Sequence, residues 1–340
     1  MTSKVIGLGH LIHTWLISPA ESQPQAQAPA RPAELRLRSL ICLSLLAIVP
    51  SQHARAQAKT IAERLGYPRD AKLLILHADD LAVAHSVDRA SFEALDRKAV
   101  SSASVMVPCP WLTEVADYAR QHAEADLGLH LTLTSEWKTY RWGPVESKDL
   151  VPSLLDPSGY FWSDAGPEAS HARPEEVERE VRAQVEAAMK AGIRPTHLDS
   201  HMGTLFARRE LFAVLVKVAH EYSLPFLTVR TADARREWLS LLSDKDIVLD
   251  ALVWPENPRP ETWKESYLAV LRDLKPGLNE LIVHLGHDDA ELQAITVDHP
   301  DFGSAWRQRD FEVMTSPEFR QALEQNHIIL VRWGDLRKLM

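Results

Sequence analysis

The stretch Leu73-Leu74-Ile75-Leu76-His77-Ala78-Asp79-Asp80 decides the fold, because it joins a short apolar run to two adjacent acids. An apolar run of this length is typical of a strand buried in a protein core. Adjacent carboxylates at the carboxyl end of such a strand cost free energy unless they bind a cation or share a proton. The stretch therefore predicts a buried strand that leads into a charged site.

Two later segments that resemble strands also carry ionisable residues at their ends. One contains Gly128-Leu129-His130-Leu131-Thr132, and the other reads Pro195-Thr196-His197-Leu198-Asp199-Ser200-His201. Imidazole nitrogens and carboxylate oxygens are ligands for divalent metals. Asp and His at the ends of several strands therefore predict a metal site.

Strand-like and helix-like segments alternate along the chain with short links. One clear helix begins at Pro174, carries Glu175 and Glu176 in its first turn and ends at Gly192. Such alternation predicts parallel βα units. We therefore predict the α/β class and a distorted (β/α) barrel of about seven to eight βα units, similar to a TIM barrel. The carboxyl ends of the strands would then carry the chemistry.

The N-terminal residues 1–56 predict a disordered segment that includes a signal peptide near residues 36–56. Arg36 and Arg38 precede the apolar residues 40–50, and Ala54-Arg55-Ala56 fits a small-x-small cleavage site. The apolar stretch is too short to span a bilayer comfortably. We expect an exported protein, periplasmic or secreted, whose barrel domain covers residues 57–340 without a membrane span. The alternative is a disordered terminus with a chance apolar run.

Net charge and cysteine content argue against nucleic-acid binding, an internal disulfide and a cysteine-rich metal site. The chain has a formal net charge of −9, and the predicted signal removes more basic than acidic residues. An acidic protein of this kind is a poor candidate for nucleic-acid binding. Cys42 lies in the apolar stretch, so only Cys109 would remain after cleavage, which excludes an internal disulfide and a cysteine-rich metal site. A homodimer is one option for the oligomeric state, which the sequence does not identify.

The strand-end residues form a candidate active site. Asp80, His130 and His201 offer one carboxylate and two imidazoles, a ligand set for Zn²⁺ or another divalent metal that leaves positions open for water. Such a metal lowers the pKa of water and polarises a substrate carbonyl. Asp79 is the candidate general base if a turn brings both acids into one site, since neighbours on a strand point to opposite faces. His284, at the end of a later strand, is the candidate general acid.

Two further residues have open roles. Asp199 either orients a histidine or caps the following helix. Arg309 either pairs with a catalytic carboxylate or begins a surface helix.

The segment at residues 134–173 interrupts the alternation and is rich in aromatic residues: Trp137, Tyr140, Trp142, Tyr160, Phe161 and Trp162. A long loop inside a compact domain is usually functional or disordered, and its aromatic content argues against disorder. The aromatic rings either stack on sugar rings or form a small core of their own.

Four motifs together resemble the YdjC-like carbohydrate deacetylases of the ChbG and HpnK type. They are His77-Ala78-Asp79-Asp80, Gly128-Leu129-His130-Leu131-Thr132-Leu133-Thr134, His197-Leu198-Asp199-Ser200-His201 and Ile282-Val283-His284. The resemblance extends from about Lys72 to the C-terminus. It departs at Gly203, where many members have a further histidine, and at Leu285, where many have proline.

The resemblance implies a distorted βα barrel, a divalent metal and hydrolysis of an N-acetyl group on an amino sugar. It implies that Asp80, His130 and His201 bind the metal, Mg²⁺ or Zn²⁺. It also implies that Asp79 is the base and His284 the acid.

We therefore predict a metal-dependent hydrolase that removes N-acetyl groups from an amino sugar or oligosaccharide, with a small carbohydrate as its substrate. One alternative is a non-catalytic carbohydrate-binding protein on the same scaffold, which would bind sugar without releasing acetate. Another is a metallohydrolase of a different substrate class, such as phosphoesters. The sequence offers no Gly-rich phosphate cradle or Arg cluster in favour of the latter.

Overall fold

The computed structural model describes residues 59–230, 234–256 and 258–340. The predicted signal peptide at residues 36–56 and the rest of the predicted N-terminal segment lie outside the described residues. Within the described residues, no helix combines the length and apolar character needed to cross a membrane.

Strands and helices alternate through most of the described chain. The strands are β1 (Lys72–Leu81), β2 (Ser102–Val105), β3 (Leu127–Leu131), β4 (Leu198–Ser200), β5 (Ala251–Val253), β6 (Gly277–Val283) and β7 (Ile328–Leu330). The α-helices are α1 (Ile61–Arg64), α2 (His85–Asp96), α3 (Leu112–Gln121), α4 (Ala165–His171), α5 (Pro174–Ala191), α6 (Arg209–Tyr222), α7 (Trp263–Asp273), α8 (Ala290–Ile295), α9 (Ser304–Met314), α10 (Pro317–Gln325) and α11 (Trp333–Arg337). Short 3₁₀ helices lie at Lys148–Leu150, Pro152–Leu154, His201–Phe206, Ala234–Leu241 and Pro260–Thr262.

The strands form one parallel sheet in the order β4-β3-β2-β1-β6-β5, and β7 pairs with the start of β1. Single parallel bridges then connect the two edges of the sheet. Leu198 of β4 pairs with Phe226, and Val229 pairs with Leu249, just before β5. The sheet therefore curves into a distorted (β/α) barrel, which confirms the predicted fold class.

Helix α5 shows how the sequence sets an element's limits. Pro174 occupies its first turn, where a missing N–H costs no hydrogen bond, and Glu175 and Glu176 lie at the positive end of the helix dipole. Gly192 ends the helix with a φ of 98°, a left-handed conformation that glycine adopts without a steric penalty. The predicted limits of this helix are confirmed.

Alternate residues of β1 face two different hydrophobic clusters. Leu74 and Leu76 belong to the larger one, between sheet and helices. Leu73 and Ile75 belong to the smaller one, which includes Trp333 of α11. A period of two residues places His77 and Asp79 on the same side as Leu73 and Ile75, inside the barrel.

The aromatic segment at residues 134–173 contains two 3₁₀ helices and α4. Three of its rings contact one another, with centroid distances of 5.9 Å for Trp137–Tyr140, 5.7 Å for Trp137–Trp142 and 6.1 Å for Tyr140–Trp142. Trp137, Trp142 and Phe161 are buried. Trp137, Tyr140 and Trp142 therefore form a small core, which was one of the two predicted alternatives, and Trp137 also lines the cavity described below.

Candidate metal centre and active site

A bend at the end of β1 brings two adjacent acids into one site. The pairing of β1 with β2 is irregular between Ala78 and Leu81. Asp80 has a φ of 70°, which is unusual for a residue with a side chain. A regular strand would send Asp79 and Asp80 to opposite faces, whereas an irregularity of this kind re-aims one side chain. The turn that the sequence required is present.

Asp80, His130 and His201, which we call the upper cluster, converge from three strand ends. Asp80 Oδ1 lies 3.3 Å from His130 Nε2 and 3.4 Å from His201 Nδ1. The three possible ligand atoms lie within 4.8 Å of one another, and all three residues are buried. Asp80 Oδ1 has no hydrogen-bond partner among the described residues. The three residues predicted to bind metal are thus brought together around one unsatisfied oxygen.

Each histidine of the upper cluster is held by a second carboxylate through its other nitrogen. His130 Nδ1 is hydrogen-bonded to Asp199 Oδ1 at 2.6 Å, and His201 Nε2 to Glu136 Oε2 at 3.1 Å. Such partners fix the ring orientation and tautomer of a metal-binding histidine. Of the two roles left open for Asp199, the structure shows the first. Glu136 was missed because it lies in the loop after β3, where the sequence pattern gives no sign of its orientation.

Arg307 of α9 is a second residue that the sequence analysis missed. It donates a 2.6 Å hydrogen bond from Nη2 to Asp80 Oδ2, and its side chain is almost fully buried. Arg309 was the arginine considered as a carboxylate partner. Its guanidinium instead lies 5.3 Å from the ring centroid of Trp263. The partner of the carboxylate is therefore the arginine two residues earlier.

This donor set fits a divalent transition metal. One carboxylate oxygen, which has no hydrogen-bond partner in the part of the chain that the structure describes, faces two imidazole nitrogens, and each imidazole is oriented by a further carboxylate. Arg307 occupies only Oδ2 of Asp80, so Oδ1 stays available. The residues present therefore match the chemistry of a metal centre.

Neighbouring charges shift the pKa values of Asp80 and His201 in the upper cluster. Burial raises the pKa of Asp80, but Arg307 and the two histidines outweigh it and hold that pKa well below its usual range. Burial lowers the pKa of His201, but the Glu136 and Asp80 carboxylates raise it to about 9. Without a metal, His201 is therefore protonated at neutral pH. A bound cation would take the place of that proton.

Asp79 and His284 lie beside the upper cluster. Asp79 Oδ2 is 3.7 Å from His130 Nε2 and 3.9 Å from His284 Nε2. The backbone N–H of His284 donates to Asp310 Oδ2 at 3.1 Å, which fixes the end of β6. Burial lowers the pKa of His284 to about 4, so its ring is neutral at neutral pH. The two residues proposed to carry protons thus face each other next to the metal ligands.

A second group, His77, His197 and Glu280, lies deeper in the barrel; we call it the lower cluster. His77 Nε2 is 3.0 Å from Asp79 Oδ1 and 3.0 Å from Asp199 Oδ2. The lower cluster therefore touches both the candidate base and the residue that orients His130.

The ring of His197 is enclosed on two sides. It stacks on Trp333, with centroids 5.1 Å apart and planes inclined by 16°. On the other side it lies so close to Gly128 that a Cβ there would be 2.3 Å from the ring. The glycine of the Gly128-Leu129-His130 motif thus makes room for a buried histidine.

The upper cluster opens onto a cavity of about 810 Å³. This volume falls within the range of about 300–1,000 Å³ that is typical of small-molecule sites. Asp79, His284 and Arg307 also line the cavity, as do residues of α4 and of the loop at 298–302. Phe302 from that loop lies over the His284 ring, with centroids 4.7 Å apart.

These features define a (β/α)-barrel protein with a buried Asp/His cluster that opens to a cavity at the carboxyl ends of the strands. Residues 73–325 match the family model described as YdjC-like protein. The match covers well over half of the chain, so the chain belongs to the YdjC-like family. The resemblance noted from the motifs is confirmed.

Curated relatives match over most of their own length. A carbohydrate deacetylase of Thermus thermophilus is 33% identical over 286 residues, which are 82% of this chain and 99% of the relative. A chitooligosaccharide deacetylase of Yersinia enterocolitica is 28% identical over 259 residues, which are 75% of this chain and 95% of the relative.

One solved structure is similar in both fold and sequence. It is a protein of Enterococcus faecalis V583, provisionally named for cellobiose-phosphate cleavage, with a TM-score of 0.67 and 28% identity. The similarity covers 78% of this chain and 99% of that protein.

Proposed function

We propose that this protein is a metal-dependent hydrolase that removes N-acetyl groups from an amino sugar or oligosaccharide. The observation that carries the proposal is the buried Asp80 Oδ1, which has no hydrogen-bond partner among the described residues and faces two imidazole nitrogens at a cavity wall. The deacetylase names of the relatives support a carbohydrate amide as the substrate class.

Asp80, His130 and His201 are proposed to hold the metal. Two imidazoles favour zinc or a similar transition metal over Mg²⁺, which prefers oxygen ligands. When bound in such a site, the metal polarises the substrate carbonyl and acidifies water. The carboxylates of Asp199 and Glu136 keep the two rings aimed at this position.

Asp79 and His284 are proposed to move the protons. Hydrolysis takes one proton from the attacking water and returns one to the departing amine nitrogen, while the C–N bond breaks and acetate forms. Asp79 Oδ2 would accept the first proton, and His284 Nε2 would deliver the second. Because the pKa of His284 is lowered to about 4, its ring must gain a proton during the reaction. Asp79, 3.9 Å away, can pass on the proton that it takes from water.

Arg307 is proposed to position Asp80. Its hydrogen bond to Oδ2 holds the carboxylate so that Oδ1 points at the two histidines. A guanidinium stays charged at all ordinary pH values, which suits it to this role.

We also propose that the barrel domain, residues 57–340, is exported after removal of the signal near residues 36–56. N-terminal sequencing of the protein recovered outside the cytoplasm tests this. An intact N-terminus on protein retained in the cytoplasm would contradict it.

The function is tested by measuring acetate release from N-acetylglucosamine and chitooligosaccharides. Metal-stripped protein is supplied with zinc, cobalt, nickel or magnesium in turn. We expect activity to return with one or more metals. Asp80→Asn and His130→Gln should lose activity by about 1,000-fold or more, because they remove ligands to a group worth several kcal/mol.

Two outcomes would contradict the proposal. Full activity in the stripped protein would remove the role of the metal. Sugar binding without acetate release under every metal would favour the non-catalytic alternative.

A further inference from the structure

One side of the cavity is apolar in a way that a carbohydrate alone does not require. Six of the apolar side chains that line the cavity are called the apolar arc: Phe206, Val229, Trp238, Leu252, Trp254 and Ile282. All but Leu252 are only partly buried, although they face the inside of the molecule. Apolar surface turned towards a solvent-filled cavity is unfavourable until something apolar covers it.

The apolar arc follows consecutive elements around the barrel. Phe206 ends the 3₁₀ helix that begins with His201, and Val229 belongs to the bridge that closes the sheet. Trp254 follows β5, and Ile282 lies in β6, two residues before His284. The arc therefore runs from a proposed metal ligand to the proposed general acid, within one continuous cavity.

Sugar hydroxyls would find few partners along this arc. Only the two indole N–H groups are polar among its six side chains, and the indole nitrogen of Trp254 is itself buried. A hydroxyl that leaves water without gaining a hydrogen bond destabilises a complex. Aromatic rings can stack on a sugar face, but Val229, Leu252 and Ile282 offer no such surface.

We propose that the apolar arc binds an alkyl or aryl substituent of the substrate, adjacent to the amide that is hydrolysed. This inference rests on the proposed function for the identity of the amide. The substituent has two chemical sources, an apolar aglycone on the amino sugar or an N-acyl chain longer than acetyl. In both cases the sugar hydroxyls stay near the polar part of the cavity.

The test compares kcat/KM along two substrate series. The first is the methyl, butyl, hexyl and octyl β-glycosides of N-acetylglucosamine, below their micelle concentrations. The second is N-acetyl-, N-butanoyl- and N-hexanoylglucosamine. We expect kcat/KM to rise about fourfold for each added methylene in one series, as expected for methylene burial, until the arc is filled. The series that rises identifies the source of the substituent.

Variants test whether the arc causes the gain. In Trp254→Ala, kcat/KM should rise less steeply with chain length. In Val229→Phe, kcat/KM should stop rising at a shorter chain, because the larger side chain fills part of the arc. Trp111→Ala is the matched control, because Trp111 is partly exposed and its ring lies tilted against that of His85, outside the cavity. It should leave the rise unchanged.

Direct binding separates failure of this inference from failure of the proposed function. Binding of methyl and octyl glucosaminide, which carry no acetyl group, is measured by calorimetry. Tighter binding of the octyl compound, reduced in Trp254→Ala, supports the arc even if no sugar amide is hydrolysed. Equal affinity for both compounds, together with flat kcat/KM in both series, would overturn the inference while leaving deacetylation of simple sugars intact.

Discussion

The upper and lower clusters each combine two histidines with one carboxylate but differ in what surrounds them. The ligand atoms of Asp80, His130 and His201 lie within 4.8 Å of one another, and so do those of His77, His197 and the neighbouring Asp199. The upper cluster opens onto the cavity, whereas His197 is enclosed between Gly128 and Trp333. Burial lowers the pKa of His197 well below its usual range, while carboxylates raise that of His130 despite its burial. The upper cluster is a candidate site because it is open to the cavity and has charged neighbours. The lower cluster has similar residues but is enclosed, as expected of a polar part of the core.

The largest expected difference comes from two histidines of one motif. His201→Gln should reduce activity by about 1,000-fold or more and prevent metal binding, because it removes a proposed ligand. His197→Gln should keep metal binding but destabilise the fold by about 2–4 kcal/mol, since it disturbs a fully buried, stacked ring. Calorimetric metal titration and urea unfolding of both variants provide the measurements. A loss of metal binding in His197→Gln would erase the distinction between the clusters.

Gly128→Ala tests how tightly the lower cluster is packed. The added methyl would collide with the His197 ring, which Trp333 prevents from moving away. We expect a loss of about 3 kcal/mol in the free energy of unfolding, towards the upper end for overpacked cores. Gly143→Ala is the control, because its nearest contact would be an ordinary 3.6 Å. Similar unfolding midpoints for the two variants would show that the ring has room.

Glu136→Gln tests the outer support of the upper cluster. The amide keeps a hydrogen-bond acceptor for His201 Nε2 but loses the negative charge. We expect metal affinity to fall about 10- to 100-fold with little change in stability, as for other partners of metal-binding histidines. Glu221→Gln, an exposed partner of Arg182, should leave metal affinity unchanged. If Glu136→Gln left the metal affinity unchanged, only Asp199 would remain as a carboxylate that supports metal binding by orienting a histidine.

The last prediction concerns Glu280 and is a change of stability with pH rather than a loss of activity or of metal binding. Burial raises its pKa from 4.5 to about 8, so the folded protein binds this proton more tightly than the unfolded chain does. The stability from Glu280 is therefore complete below about pH 4.5 and is lost as pH rises towards 8, by at most about 1.4 kcal/mol per pH unit. Glu280→Gln should lack this slope in urea unfolding of the metal-free protein between pH 5 and 8. Parallel pH profiles for variant and parent would contradict it.

The sequence alone could locate the strand ends of the site because apolar periodicity identifies strands and parallel strands end at one edge. It could thus place Asp80, His130 and His201 near one another. It could state that Asp79 and Asp80 need a turn, but the turn itself depends on the irregular pairing of β1 with β2. That pairing involves residues distant along the chain.

Glu136 and Arg307 could not be identified in the same way. Their roles depend on which direction a loop or helix presents to the barrel. Arg307 and Arg309 are two positions apart on α9 and so point about 200° away from each other around its axis. Both residues fit the same sequence pattern, and only the position of α9 in the folded protein, where Arg307 reaches Asp80, selects Arg307.

The bend at Asp80 has a consequence for moving this chemistry to another protein. Copying the three ligand side chains onto the straight strands of a different barrel would leave the two acids on opposite sides of the sheet. A transplanted centre would also need the left-handed backbone at the second acid and a neighbouring strand that tolerates the interruption. A functional transplant must therefore include the distorted pair of strands as well as the ligand side chains.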